Sequence, residues 1–175
     1  MPIFLTGARQ IGKSTALRRA LGAAGLRFGG IMTRFDARSG ERRLYLLPYS
    51  LSEPLPEALP ESAVCARMGA MGRRADPAVF DSLGVSLLRA AADDPETDVL
   101  VIDELGFLEA EAKEFHAAVC GLLCGKKPVV GVVREGLGAW ADAPLGEVLT
   151  VTADNRDAMP ELLLRRLREQ TAEFL

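Results

Sequence analysis

The chain has 175 residues, 49% hydrophobic and 26% charged, a length and composition that suit one globular domain with a sizeable core. Its 21 basic and 24 acidic residues leave a formal net charge of −3, which gives no overall electrostatic footprint for nucleic acid. No apolar run approaches the ~20 residues of a bilayer span, so no membrane association is expected.

The opening "MPIFLTG" has no basic segment and runs straight into a glycine loop, which reads as a cytoplasmic protein rather than one with a signal peptide. Three cysteines are too few for a disulfide framework and suit a reducing compartment.

In chain order, "PIFLT" reads as a buried strand and "KSTALRRALGAAG" as a helix ending at its glycines. "GGIMTRF" and "RRLYLLPY" are strands facing each other across an "ARSG" turn, a hairpin over residues 31–49. Residues 48–62 carry four prolines and read as a surface excursion, since proline suits neither a helix interior nor a central strand. Residues 68–77, "MGAMGRRADP", read as a loop. "AVFDSLGVSLLRAAADD" follows as a helix with Val79, Phe80, Leu83, Leu87 and Leu88 inward.

"DVLVIDE" places four aliphatic residues before two acids, the pattern of a central parallel strand covered on both faces. "EAEAKEFHAAVCGLLCG" is a helix, "KPVVGVV" a buried strand, "EGLGAWADAPLG" irregular and "EVLTVT" a last strand. "AMPELLLRRLREQTAEF" closes the chain as a helix, with Asp157 as its expected N-cap and Pro160 in its first turn. His116, Cys120 and Cys124 recur every four residues. On a helix rising ~1.5 Å per residue the outer two lie about 12 Å apart, too far for one zinc, so a packed helix face is expected instead. The alternation predicts an α/β fold over residues 1–175, a mainly parallel sheet with helices on both faces.

"GARQIGKS" fits G-x-x-x-x-G-K-[ST] without a gap, the P-loop pattern. Its glycines let successive N–H groups turn toward phosphate oxygens, and the following helix adds the positive end of its dipole. Gly7, Ala8, Arg9, Gln10, Ile11, Gly12, Lys13, Ser14 and Thr15 are the expected phosphate-binding residues. Lys13 should reach the β- and γ-phosphates, and the Ser14 hydroxyl should ligate Mg²⁺. Asp103, at the end of a buried strand, is the expected acid on the metal side. Glu104 can polarise an attacking water as a general base. Transition-state charge then needs a cation. Arg9, Arg73, Arg74 and Arg134 are the candidates, and Arg134, at the C-terminal end of a predicted parallel strand, faces the ligand crevice.

Four strings occur in order: the early P-loop, "GGIMTR", "VIDELGFLE" and "TVTADNRD". Together they resemble a family of small nucleoside-triphosphatases found from thermophilic microbes to humans. The resemblance spans nearly the whole chain. It implies a RecA-like P-loop fold and slow, Mg²⁺-dependent hydrolysis of ATP, GTP and other nucleoside triphosphates. Carried over to this sequence, it implies phosphate binding from Gly7 to Thr15, metal-side work by Asp103 and catalysis by Glu104. Glu109 and residues 155–157 match the family pattern as well. Asn155 and Arg156 either line the base pocket or shape the entry to the last helix. The sequence departs from the pattern at Phe107, where Lys is common, in the 31–49 hairpin and in the proline-rich excursion. Trp140 is a candidate for stacking on a base or for anchoring a packed loop. Two other functions fit the same loop: a phosphotransferase whose acceptor lid is built by the proline-rich excursion and Arg73–Arg74, and a nucleotide-dependent switch or adaptor.

Overall fold

Along β1, Ile3–Thr6, the side chains alternate between two cores. Ile3 and Leu5 join one apolar cluster with Leu17, Leu21, Leu163 and Leu167. Phe4 joins another with Phe80, Leu88, Phe115 and Val119. β6, Val99–Leu105, repeats the pattern: Val99 and Val101 face the first cluster, Leu100 and Ile102 the second. A strand apolar on both sides must be covered on both sides. Helices α1, Lys13–Ala24, and α5, Met159–Ala172, cover one face. Helices α3, Val85–Asp93, and α4, Lys113–Leu123, cover the other. The α/β sandwich expected from the sequence is therefore the fold of the computed structural model, which describes residues 1–36, 42–52, 55–69 and 72–172.

The remaining strands are β2, Phe28–Asp36; β3, Arg42–Pro48; β4, Val64–Gly69; β5, Gly72–Ala75; β7, Val129–Val133; and β8, Glu147–Thr150. They form one eight-stranded sheet in the order β5-β4-β3-β2-β6-β7-β1-β8. β8, β1, β7, β6 and β2 pair in parallel. β3, β4 and β5 extend that core as an antiparallel ribbon. The β2–β3 hairpin runs from the Ile31–Pro48 pair to the Asp36–Arg43 pair. Its "ARSG" turn and part of the proline-rich excursion lie outside the described residues.

Four readings change. The described residues of 68–75 are strand rather than loop: Arg67 pairs with Arg74 and Met68 with Arg73 between β4 and β5. The helix after it starts as α2, Pro77–Val79, capped by the Asp76 carboxylate on the Ala78 N–H at 3.1 Å. A π turn at Phe80–Gly84 then inserts one extra residue and rotates the inward face, burying Gly84 and Val85 and leaving Leu83 and Leu87 half-buried. α4 begins at Lys113 rather than Glu109, and the Asp81 carboxylate receives its Phe115 N–H at 2.9 Å. Asp157 does not cap α5, which starts two residues later with the Met159 N–H on the Asn155 carbonyl at 3.0 Å. Among the described residues, no helix is long and apolar enough to cross a membrane.

Candidate active site

β1 ends at Thr6 and the chain turns at Gly7, where φ is 130°. A Cβ at Gly7 would stand 2.4 Å from the Val151 carbonyl oxygen. The loop therefore lies flat on the exit of β8, and only glycine fits there. Lys13 opens α1, and its buried ammonium donates to the Gly7 carbonyl at 2.8 Å and the Ala8 carbonyl at 2.9 Å. A cation in a first helical turn opposes the helix dipole, and no acid stands there to offset it. Lysine and dipole together make a concentrated anion site.

Within the loop, Ala8, Arg9 and Gln10 are exposed, Ile11 packs against the first core cluster, and Gly12 precedes the helix. Thr15 is exposed, one residue beyond Ser14.

The Ser14 hydroxyl donates to Asp103 Oδ1 at 2.9 Å, across 89 residues of sequence. This bond joins the glycine loop to the end of β6. Burial is the main reason the Asp103 carboxyl titrates high, at about 6. The Ser14 bond opposes that rise, the Glu104 charge adds to it, and Arg18 and Arg34 pull it down.

β7 lies between β1 and β6. Its C-terminal end therefore delivers Arg134 between the glycine loop and the acids. The Arg134 N–H donates to the Leu105 carbonyl at 2.8 Å, and its Nε donates to Glu104 Oε1 at 2.8 Å. Gly106 makes room for this side chain, because a Cβ there would come within 3.1 Å of Arg134 Cδ. The Arg134 guanidinium also lies over the Phe107 ring, 4.5 Å from its centre.

Glu109 completes the D-E-x-G-x-x-E string as a buried brace. Its Oε1 accepts from the Gly106 N–H and from Trp140 Nε1, the latter at 3.0 Å. Burial raises its pKa, and those two bonds are among the groups that pull it back. Trp140 is fully buried and stacks on His116 with ring centres 4.6 Å apart. It anchors a loop and offers no face to a base. His116 and Cys120 thereby serve packing on α4.

Two cavities meet at this point. The smaller, about 200 Å³, is lined by Gly7, Lys13 and Glu135. The larger, about 450 Å³, runs from Ser14 and Asp103 to β2, β3 and the β4–β5 hairpin. Arg9, Gln10, Glu104 and Arg134 line both. Arg73 also reaches the larger cavity, whereas Arg74 lines a separate depression near Pro77.

Asn155 sits away from both. Its Oδ1 accepts from the Thr152 N–H at 2.8 Å and its Nδ2 donates to the Thr150 carbonyl at 2.9 Å. Both bonds hold the turn from β8 into α5. Arg156 is exposed, with Nε 4.0 Å from the Asp157 carboxylate.

A model of a family described as NTPase matches residues 2–164 of this sequence. The chain belongs to the NTPase family. One relative, nucleoside-triphosphatase THEP1 of Methanocaldococcus jannaschii, is 30% identical over 179 residues, covering 95% of this chain and 97% of its own. THEP1 of Thermofilum pendens is also 30% identical, over 97% of this chain and 96% of its own. Two solved structures share the fold of this NTPase. THEP1 from the hyperthermophile Aquifex aeolicus superposes with a TM-score of 0.67 at 20% identity, over 95% of this chain and 99% of that one. A human cancer-related nucleoside triphosphatase gives 0.68 at 23%, over 96% and 97%.

Proposed function

We propose that this NTPase hydrolyses nucleoside triphosphates with Glu104 as general base, Lys13 and Arg134 as charge stabilisers, and Mg²⁺ held by Ser14 and Asp103. Nucleoside-triphosphate hydrolysis is the activity of the family; the residue roles and the metal are our reading. The observation that carries it is the Ser14–Asp103 hydrogen bond at 2.9 Å, with the Glu104–Arg134 pair next to it. It brings the phosphate loop, a metal-type oxygen pair and a carboxylate beside an arginine to one spot.

The donor set fits magnesium. A hydroxyl and a half-buried carboxylate are hard oxygen ligands, the type Mg²⁺ takes while keeping several waters. When bound, the ion neutralises charge on the β- and γ-phosphate oxygens. Lys13, released from the Gly7 and Ala8 carbonyls, balances the same oxygens. Glu104 accepts a proton from a water as that water's oxygen attacks the γ-phosphorus. The bond from the γ-phosphorus to the bridging oxygen breaks, and the nucleoside diphosphate leaves with the electron pair. Arg134 orients the Glu104 carboxylate through its Nε and carries positive charge toward the developing trigonal phosphoryl group.

Asn155 and Arg156 stay in this proposal as candidates for the base side, since the turn they form follows the strand that backs Gly7. A cytoplasmic location belongs to the proposal too, supported by three free cysteines. Phosphate release from ATP, GTP, CTP and UTP, with Mg²⁺ and with excess chelator, tests it. Release that continues unchanged in chelator removes the metal from the mechanism. The larger cavity favours one second reading, transfer to an acceptor other than water.

A further inference from the structure

The larger cavity extends well past the acids. Its far wall is built by the end of β2, with Arg34 and Phe35, and by the antiparallel ribbon, with Arg42, Leu44, Met68 and Arg73. In a chain of net charge −3, this concentration of guanidinium groups is a local departure. Two of them lie over aromatic rings. Arg42 lies over Phe35 at 5.0 Å, and Arg73 over Phe107 at 5.2 Å. Both rings are substantially exposed, at 38% and 51%. Arg73 shares Phe107 with Arg134, so the cations of the two cavities meet at one ring. Burial holds the Arg73 pKa below its usual value, and the nearby charges of Arg134 and Arg9 add to that effect. Such a group gains from a neighbouring anion. Tyr49, also on the cavity wall, is 8% exposed, and its hydroxyl has no hydrogen-bond partner among the described residues.

We propose that the far part of this cavity, beyond the loop residues Arg9, Gln10 and Ser14 that line its near end, is a second ligand site for a small organic anion: a phosphate or carboxylate on a flat apolar body. The proposal rests on the P-loop reading, because the loop must hold the nucleotide for the cavity to be left for something else. Size and lining select the class. About 450 Å³ falls within the ~300–1,000 Å³ of small-molecule sites. Guanidinium groups on ring faces select phosphate or carboxylate. Phe35, Leu44, Met68 and Phe107 would stay wet under a bare inorganic ion, whereas a flat apolar body covers them. Because Arg9, Gln10, Glu104 and Arg134 line both cavities, an occupant lies beside the group that handles the attacking water. It is placed to receive the phosphoryl group or to change the rate of its release.

Isothermal titration of the Mg-ADP-loaded protein with phenyl phosphate tests the site. Phenyl phosphate should bind without displacing ADP, and more tightly than inorganic phosphate. Arg42→Ala and Arg73→Ala should each weaken it about tenfold, the loss of one charge-assisted contact. ADP affinity and circular dichroism in the same variants report that the fold and the loop are intact. Absence of phenyl phosphate binding to ADP-loaded protein overturns the proposal. So does displacement of ADP by phenyl phosphate, or equal affinity in wild type and both variants. None of these outcomes touches the hydrolysis reading, which fails separately if the wild type does not bind ADP.

Discussion

Replacing Asp103 by Asn removes a charge that burial penalises. The rise of its pKa from 3.8 to about 6 corresponds to about 3 kcal/mol, at about 1.4 kcal/mol per pH unit. The carboxylate lies in an open cleft, and water there screens part of that cost, leaving about 1–3 kcal/mol. The sign follows from linkage. A carboxyl with a raised folded pKa binds its proton more tightly when folded, so its contribution to stability is present below about pH 4 and lost as pH rises through about 6. Asparagine keeps the shape and still accepts the Ser14 hydroxyl, but it never ionises. Asp103→Asn should therefore be more stable than wild type at pH 8 by about 1–3 kcal/mol, with the difference vanishing near pH 4. Urea denaturation in excess chelator at both pH values measures this. The chelator is essential, because a bound cation stabilises the wild type alone. A variant less stable than wild type at pH 8, or a difference that ignores pH, would refute the burial argument.

The remaining predictions concern the loop and its brace. Lys13→Ala should weaken binding of nucleoside triphosphate about 10- to 100-fold, the worth of a charged hydrogen-bond donor, as read by fluorescent-nucleotide titration; unchanged affinity would place Lys13 outside the site. Trp140→Phe leaves the buried Glu109 carboxylate one donor short and should cost about 1–3 kcal/mol by urea denaturation at pH 8. An unchanged midpoint would mean the brace carries no weight. Magnesium removal should abolish phosphate release while the fold persists, since the apolar clusters do not depend on the metal.

Much of this site was readable in one dimension. The P-loop needs residues close in sequence, and β1 and β6 are apolar on both faces, a pattern that survives without three-dimensional context. Arg134 was legible because a parallel strand points its C-terminal end at the crevice. The β4–β5 hairpin was not. Its outer part, Met68, Gly69, Gly72, Arg73 and Arg74, is exposed or half-exposed, and an edge ribbon of that kind lacks the apolar alternation that marks a strand. The π turn was hidden for a related reason, since one inserted residue shifts a helical face without changing composition. Glu109 stood out by its place in a string, yet its partner Trp140 is 31 residues away and only the fold joins them. Trp140 read as a packing anchor with base stacking as the alternative, and its full burial decides for the anchor. Phe107 looked like a mere departure from a pattern. Only the hairpin, by carrying Arg73 across to it, shows the ring as a shared platform for two cations.

Phosphate release by wild type beside Glu104→Gln, with nucleotide affinity measured on the same preparations, reaches the central claim most directly. Glutamine keeps the size and can still accept from Arg134, but it cannot take the proton of water. We expect nucleotide affinity within about threefold of wild type and turnover lower by ~10²- to 10⁴-fold, the usual contribution of a general base. Turnover equal to wild type would contradict the assignment of Glu104 and, with it, the mechanism built on the Glu104–Arg134 pair.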